Sequence, residues 1–373
     1  MNRVTLGDIC EKASSNIVQK DLDGNEGEYP IYGASGYIKN VNFYHQTEPY
    51  IAIVKDGAGI GRTMLLPAKS SVIGTMQYIL PKEDKDIDID YLYYAIVHMN
   101  LGKYFSGATI PHIYFKDYQK ESLNLPDRYE QQHIASIFKK IDVLISNTQE
   151  QTKHFDELIK ARFVEMFGNP FNCPKWGTEQ LSVLAKSISD GSNVDKQYYK
   201  KYDSVLFLRI QNVWFNELRL EDSVYISDAV NKSYFDTSLH KGDLLITKIG
   251  RYYTNDSSLG RVSVYLGDDD KANYSNNIMR VRLCDRVDSE FVNALMNLDD
   301  YNKYIRKVSV GGTDKRALSK KVIGELPIIV PPKQLQEQYV ELLHQVDKSK
   351  LVLEKRLQDL EILKKSLMQQ YFG

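Results

Sequence analysis

Glycines with a spacing suited to phosphate binding are the first residues of this sequence that could do chemistry. The run from Gly57 to Gly61 would let backbone N–H groups approach a phosphate at the start of a helix. A dinucleotide fingerprint requires that helix, but the next segment, 62–67, is rich in residues typical of strands and ends at Pro67. The pattern therefore predicts a hairpin loop and no nucleotide site.

Other candidate catalytic residues lack the spacing that catalysis requires. The sequence has no Gly-x-x-x-x-Gly-Lys-Ser/Thr loop to hold ATP, and its 7 histidines have no nucleophile at a recognisable spacing. The segment 169–171 has only one proline of the Asn-Pro-Pro-Phe/Tyr loop of amino-methyltransferases. The acidic run 83–90 alternates with lysine and isoleucine, which is typical of a solvated loop. We therefore expect no catalytic residue in this chain.

The cysteines do not indicate a metal site either. Cys10, Cys173 and Cys284 lie far apart and form no Cys-x-x-Cys or Cys/His pair. We expect them to be buried, unreactive thiols, without disulfides. No metal and no cofactor is predicted for this chain.

Polar and basic side chains suited to the edges of DNA bases remain. Arg and Lys pair with guanine, whereas Asn and Gln pair with adenine. We predict DNA contacts at Lys55, Arg62, Thr75 and Gln77 in the first half, and at Lys248, Arg251, Arg261, Asn276, Asn277 and Arg280 in the second. The basic segment 303–321 adds phosphate contacts at Lys307, Lys315 and Arg316. Each residue taken alone could be an ordinary solvated side chain, and only the clustering favours DNA.

The charge balance limits how such a chain could bind DNA. It has 48 Lys and Arg against 49 Asp and Glu, a formal net charge of −1. Nonspecific affinity for DNA comes mainly from Lys and Arg that neutralise phosphates. The composition therefore argues against an autonomous high-affinity DNA binder. It leaves open a protein whose basic residues are local, or one that binds DNA together with partner subunits.

The elements that position these residues are duplicated. Pro126 and the Gln-rich segment after it match Pro331 and its own Gln-rich segment, at an offset of 331 − 126 = 205 residues. The register continues without a gap as far as Gly168 and Gly373. Each repeat contains a buried strand, a glycine-rich loop and a basic return strand before its helical part. The sequence therefore predicts two copies of one unit, a mixed α/β domain followed by a long helix.

The two helical segments have apolar residues at the a and d spacing of a coiled coil. Each is expected to span about 40 residues, or about 60 Å. We predict contacts between the helices or with a partner subunit at Ile134, Ile141, Phe155 and Leu158 in the first helix, and at Tyr339, Val346, Leu353 and Leu360 in the second. The alternative is that both are core helices of unrelated domains, but their length favours an antiparallel pair.

The predicted fold is thus a mixed α/β (α+β) tandem duplication. Two globular domains, 1–126 and 169–332, are separated by two long helices, 127–168 and 333–373, which form an antiparallel coiled coil. The apolar runs, such as 50–54, are too short to span a bilayer, and no charged region precedes an apolar stretch at the start. We therefore expect a cytoplasmic protein with no membrane partner.

The chain resembles the specificity subunits of type I restriction-modification systems over nearly its whole length. The resemblance depends on the segment Tyr29–Tyr37 and on the repeated proline, Gln-rich helix start, apolar helix and Phe-Gly end. The segment 326–332, leading into Gln336–Gln338, is similar to the second conserved region of this family. Recognition loops are the most variable part of the family, so the resemblance transfers no individual base contact.

The resemblance implies a non-catalytic subunit that reads a bipartite target in double-stranded DNA, one half for each globular domain. The helix pair would be the spacer in a circular arrangement. The implied partners are two modification subunits, which use S-adenosylmethionine to methylate adenine, and restriction subunits, which use ATP and Mg²⁺ to translocate and cut DNA. All cofactors would then be held by the partners.

Other functions remain open at this point. One is a specificity subunit of a related system in which a single partner chain both cuts and methylates. Another is a self-sufficient nuclease or methyltransferase, which the missing catalytic motifs disfavour. A third is a coiled-coil scaffold, which the two large loop-rich domains disfavour.

Overall fold

The computed structural model describes residues 2–107, 111–171, 173–254 and 256–373. The chain folds into two compact units. Unit 1 consists of residues 1–151 and 352–373, and unit 2 consists of residues 152–351. The division falls within both long helices, so each unit contains the start of one long helix and the end of the other.

Unit 1 is built on a four-stranded antiparallel sheet. Its strands are β1 (Asn2–Thr5), β2 (Cys10–Ser14), β3 (Tyr29–Gly33), β4 (Gly36–Val41), β5 (Tyr50–Val54), β6 (Thr63–Leu66), β7 (Ser71–Val72), β8 (Met76–Pro81) and β9 (Ser122–Leu125). Its short helices are α1 (Leu6–Ile9), α2 (Ile89–Met99) and α3 (Phe115–Tyr118), and the long helix α4 (Arg128–Phe167) follows β9. The main sheet has the order β2-β8-β5-β6, beside a β4-β3-β7 sheet and a β1-β9 pair. The central strand β5 is apolar and buried along its whole length.

Unit 2 repeats this topology. Its strands are β10 (Gly168–Asn169), β11 (Cys173–Pro174), β12 (Thr178–Gln180), β13 (Ala185–Asp190), β14 (Val205–Leu208), β15 (Val224–Ile226), β16 (Leu244–Thr247), β17 (Ile249–Arg251), β18 (Val262–Val264), β19 (Ala272–Tyr274), β20 (Ile278–Leu283), β21 (Val310–Gly311), β22 (Lys315–Ala317) and β23 (Pro327–Ile329). Its helices are α5 (Leu181–Leu184), α6 (Asp228–Lys232), α7 (Ser289–Met296), α8 (Asp299–Val308) and α9 (Lys320–Gly324), before the long α10 (Lys333–Phe372). The orders β13-β20-β16-β18, β15-β14-β19 and β12-β23 match the three sheets of unit 1 strand for strand. The predicted tandem duplication is confirmed, and unit 2 adds a β17-β22-β21 sheet.

A buried glutamine joins each long helix to its domain. The Gln131 side chain accepts a hydrogen bond from the backbone N–H of Asp88 at 2.8 Å and donates to the Pro126 carbonyl at 2.9 Å. Asp88 caps the N-terminus of α2 by accepting from two backbone N–H groups. In unit 2, Gln336 accepts from the Asp288 N–H at 2.8 Å and donates to the Pro331 carbonyl at 2.8 Å. Because buried polar groups need partners, this network fixes where each long helix starts.

The long helices run antiparallel within each unit. In unit 1, Phe138 of α4 lies 5.7 Å from Phe372 of α10 between ring centroids, and Asp142 pairs with Lys364. These contacts place the last turn of α10 beside the first half of α4. The first long helix stops at Phe167, before Gly168, whose φ of +79° is a conformation that glycine adopts at little cost.

Unit 2 contains the end of α4 and the start of α10, which also contact each other. Phe163 of α4 lies 5.2 Å from Tyr339 of α10, and Asp156 pairs with Lys350. Phe163, Phe167 and Tyr339 are almost fully buried in the main apolar core of the unit, which also contains Phe291 of α7. In the part of the chain that the structure describes, no helix is long and apolar enough to cross a membrane.

Candidate nucleic-acid interface

Three loops meet at the end of the central strand in unit 1. Lys55, directly after β5, donates its backbone N–H to the Thr75 carbonyl at 3.0 Å, and its own carbonyl accepts from the N–H of Ile113 at 2.9 Å. Lys55 is half-buried and its ammonium lies 3.8 Å from the Asp56 carboxylate, while Thr75 is exposed. Arg62 is exposed and donates to the Ala34 carbonyl at 2.8 Å. The structure therefore brings Lys55 and Thr75 together, with Arg62 directly before the return strand β6.

Unit 2 has the same junction. Lys248, directly after β16, donates its N–H to the Asn277 carbonyl at 2.9 Å, and its carbonyl accepts from the N–H of Leu318 at 2.8 Å. The Lys248 side chain is largely covered and pairs with Asp190 at the end of β13. Because the Asp190 carboxylate partly neutralises that ammonium, Lys248 attracts a phosphate less strongly than an unpaired lysine would.

The extra sheet of unit 2 presents basic side chains next to this junction. Arg251 on β17 is the register partner of Lys315 on β22, and both are exposed. The guanidinium of the neighbouring Arg316 stacks 3.8 Å over the ring of Tyr252. Lys307 is exposed on α8. The structure thus brings Arg251, which we predicted to contact base edges, together on adjacent strands with Lys315 and Arg316, which we predicted to contact phosphates.

Two arginines predicted to read bases lie in the interior instead. Arg261 is 5% exposed, and its guanidinium donates to the Ser257 carbonyl at 3.0 Å and to the Asp256 carbonyl, and it stacks 3.7 Å over the ring of Trp214. Burial lowers the pKa of the Arg261 guanidinium below its ordinary value. Arg280 is 6% exposed and donates to the Ser238 carbonyl at 2.8 Å. Neither guanidinium is free for a base in this structure, which argues against both predicted base contacts.

Gln77 requires the same correction. It lies on the central strand β8, is 3% exposed and donates a hydrogen bond to the hydroxyl of Tyr118. Its amide therefore stabilises the core of unit 1. By contrast, Asn276 is exposed and Asn277 is half-buried, which leaves both side chains accessible in unit 2.

Two accessible amides that sequence reasoning missed lie beside Asn276 and Asn277. Asn193 and Gln211 are exposed, and with Asn276 and Asn277 they line one open groove of about 650 Å³ in unit 2. The groove lies between two neighbouring segments, 192–199 and 209–211, and a third segment, 275–277, that is far from both in the sequence. Hence no local spacing could have revealed it. We call it the amide groove.

The residues predicted to form the helix seam are placed as follows. Ile134, Ile141, Tyr339 and Val346 are buried, and Phe155, Leu353 and Leu360 are half-buried. Leu158 is 48% exposed, whereas its neighbour Ile159 packs against the core of unit 2 and its carbonyl accepts from the Tyr339 hydroxyl at 3.2 Å. Leu158 is therefore not a contact within unit 2, because Ile159 occupies that position on the helix face.

Among the described residues, no group of three or more His, Cys, Asp or Glu side chains is arranged to hold a metal ion. Cys10 is a buried free thiol whose pKa burial raises to about 12, and Cys284 is a free, half-buried thiol. The prediction for Cys173 concerns a side chain outside the described part of the structure.

Comparison with known proteins gives the relatives of this chain. The family model described as the type I restriction modification DNA specificity domain matches residues 1–154 and 187–362. The type I restriction enzyme MjaVIII specificity subunit of Methanocaldococcus jannaschii is 22% identical over 395 residues, which cover 98% of this chain and 90% of that protein. The type I restriction enzyme EcoprrI specificity subunit of Escherichia coli is 27% identical over 158 residues, which cover 40% of this chain and 38% of that protein.

Solved structures share the fold. The S subunit of a type I restriction-modification system from M. genitalium superposes with a TM-score of 0.62 at 14% identity, over 100% of this chain and 96% of that one. A second chain, from work on complex assembly and conformational transition of the type I system, superposes with a TM-score of 0.59 at 13% identity, over 99% and 97% of the two chains.

Proposed function

Because the chain belongs to the family of type I restriction-modification DNA specificity subunits, which recognise DNA and are not catalytic, we propose that it reads a bipartite target in double-stranded DNA. One half of the target would be read by domain 1–126 and the other half by domain 169–332. The helices 127–168 and 333–373 would set the gap between the halves.

The duplicated junction after the central strand is the observation that supports this proposal most. Lys55 in unit 1 and Lys248 in unit 2 make equivalent backbone hydrogen bonds to two other loops. Each junction thus brings three loops together at the end of the central strand. Reading a base sequence requires a set of positioned side chains, and reading two half-targets requires two of them.

The partners that we propose are two modification subunits and the restriction subunits. The modification subunits would bring S-adenosylmethionine and the restriction subunits would bring ATP and Mg²⁺. The balanced charge of the chain supports this division, because a chain with a formal net charge of −1 gains affinity when other subunits share the phosphate contacts. Whether cutting and methylation belong to separate or fused partner chains does not change the role of this chain.

Replacing Lys307 or Lys315 with alanine tests the proposed contact with DNA. Both lysines are exposed in unit 2 and form no base-reading cluster, so we assign them to phosphates. Each substitution should weaken binding to all DNA sequences alike and reduce the slope of log K against log salt by about 0.9. The measurement is salt-titrated DNA binding by the chain in complex with its modification partners.

Lys186→Ala is the matched control. Lys186 is exposed and its ammonium pairs with the Asp285 carboxylate at 2.7 Å. It lies near the start of β13, whereas the junction with Lys248 is at the other end of that strand, at Asp190. The control should leave the salt slope unchanged. The assignment is wrong if Lys307→Ala or Lys315→Ala changes the methylated motif, or if both leave the slope at its original value.

A further inference from the structure

The amide groove is held in a fixed shape by backbone hydrogen bonds between its three segments. The N–H of Ser192 donates to the Tyr274 carbonyl at 2.9 Å, and the N–H of Asn276 donates to the Ser192 carbonyl at 3.0 Å. The N–H of Ser275 donates to the Leu208 carbonyl at 2.9 Å. Because each segment is fixed to the next, the backbone positions from which the groove side chains project are held in a defined arrangement. Such preorganisation reduces the entropy that binding costs.

The carboxamides in this groove differ in their hydrogen bonding from the buried amides nearby. Among the described residues, none forms a hydrogen bond with the side-chain amide of Asn193, Gln211, Asn276 or Asn277. Nearby asparagines behave differently. The amide of Asn212 donates to the Arg219 carbonyl at 2.8 Å, and that of Asn273 donates to the Asn231 side chain at 2.9 Å. The buried amides therefore stabilise the fold through hydrogen bonds within the protein, whereas the amides of the groove are available for a ligand.

The groove lies beside the basic strands. The Asn277 carbonyl accepts the N–H of Lys248, and Lys248 directly precedes β17, which carries the exposed Arg251. Side chains that can position the DNA backbone therefore lie next to side chains that can read its bases. The charges that line the groove are Lys196, Arg209 and Asp195, of which Arg209 donates to the Asp222 carbonyl.

We propose that the amide groove reads at least two A·T base pairs in the half-target of unit 2. This inference rests on the proposed function. A carboxamide offers one donor and one acceptor, which match N6 and N7 of adenine, whereas guanine presents two acceptors and is best read by an arginine. Arg209, which lines the groove, already donates to the Asp222 carbonyl, so carboxamides outnumber the cation left in the groove, Lys196.

The number of amides sets the lower limit of two base pairs. The major-groove edge of one adenine accepts one bidentate carboxamide, so four carboxamides on three segments exceed what a single adenine can use. The single adenine that a methylating partner would modify therefore does not account for the groove. The half-target of unit 2 should contain further A·T pairs.

The test uses the chain in complex with its modification partners and determines the methylated motif by sequencing. Asn193→Ala, Gln211→Ala and Asn276→Ala change exposed side chains, so the fold should be retained, which thermal unfolding checks. Each variant should lose discrimination at one A·T position by between about fivefold and about a hundredfold, in one half of the motif only. Gln180→Ala, an exposed glutamine of unit 2 outside the groove, should leave the motif unchanged.

The possible failures can be distinguished. If the wild-type motif is bipartite but the half affected by these variants has fewer than two A·T pairs, the inference is overturned and the proposed function stands. The same holds if all three variants methylate the wild-type motif, or if they relax both halves equally. If the wild-type complex methylates no two-part motif, the proposed function is overturned and this inference with it.

Discussion

Inserting seven residues into each long helix should lengthen the gap between the two halves of the DNA target without abolishing recognition. The insertions are placed after Gln149 in α4 and after Arg356 in α10, which face each other in the antiparallel register. The ion pairs Asp142–Lys364 and Asp156–Lys350 are separated by 14 residues on each helix (156 − 142 and 364 − 350), or two heptads. A full heptad therefore keeps the apolar seam in phase.

The expected change follows from helix geometry. Seven residues add about 10 Å of helix, which corresponds to about three base pairs of DNA. Methylation of the original target should be lost, and a motif with the same two halves and a longer gap should replace it. The measurement is sequencing of methylated sites in cells that contain the variant and its modification partners.

A seven-residue insertion in α4 alone is the control. It mismatches the two helices, so it should reduce the stability of the chain and abolish methylation instead of moving it. An unchanged gap in the motif of the double insertion would show that the helices do not set the distance between half-targets.

Arg261→Ala should destabilise the protein and leave the base preference intact. The substitution removes the hydrogen bonds of a buried guanidinium to the Ser257 and Asp256 carbonyls and its stack on Trp214. The unsatisfied Ser257 carbonyl, the lost cation–π contact and the cavity left by the side chain together predict a loss of about 2–4 kcal/mol in the free energy of unfolding. Chemical denaturation measures this loss, and sequencing of methylated sites measures the motif.

Arg251→Ala is the matched control, because Arg251 is an exposed arginine of the same unit. Its effect on the free energy of unfolding should stay within about 0.5 kcal/mol, while DNA binding by the complex weakens. If Arg261→Ala unfolds like the wild type and the methylated motif loses its preference at one base position, Arg261 reads a base after all.

The duplication and the long helices could be predicted from the sequence because both depend on periodicity. The 205-residue register and the a/d spacing persist over whole helices, so single exceptions do not hide them. Leu158 shows the limit of this approach. In a helix of 3.6 residues per turn, a strict heptad pattern drifts, and Ile159 takes the buried position instead.

The candidate site was predicted less well, because burial of a polar side chain depends on what covers both faces of its strand. Gln77 on β8 and Arg280 on β20 lie in central strands whose residues are nearly all buried, so no alternation distinguishes a surface residue from a core residue. The apolar residues directly before and after Gln77 and Arg280 were the one sequence feature that indicated burial of these two side chains. No sequence pattern marked Asn193 and Gln211, because the groove forms only when segment 275–277 pairs with the distant segments that contain them.

The methylated motif of the wild-type complex tests the central claim most directly. Genomic DNA would be sequenced for methylated adenine from cells that contain the modification partners, with and without this chain. The account predicts two short specified segments separated by a gap of fixed length and free sequence, present only with the chain. A single continuous motif, or the same motif without the chain, would contradict it.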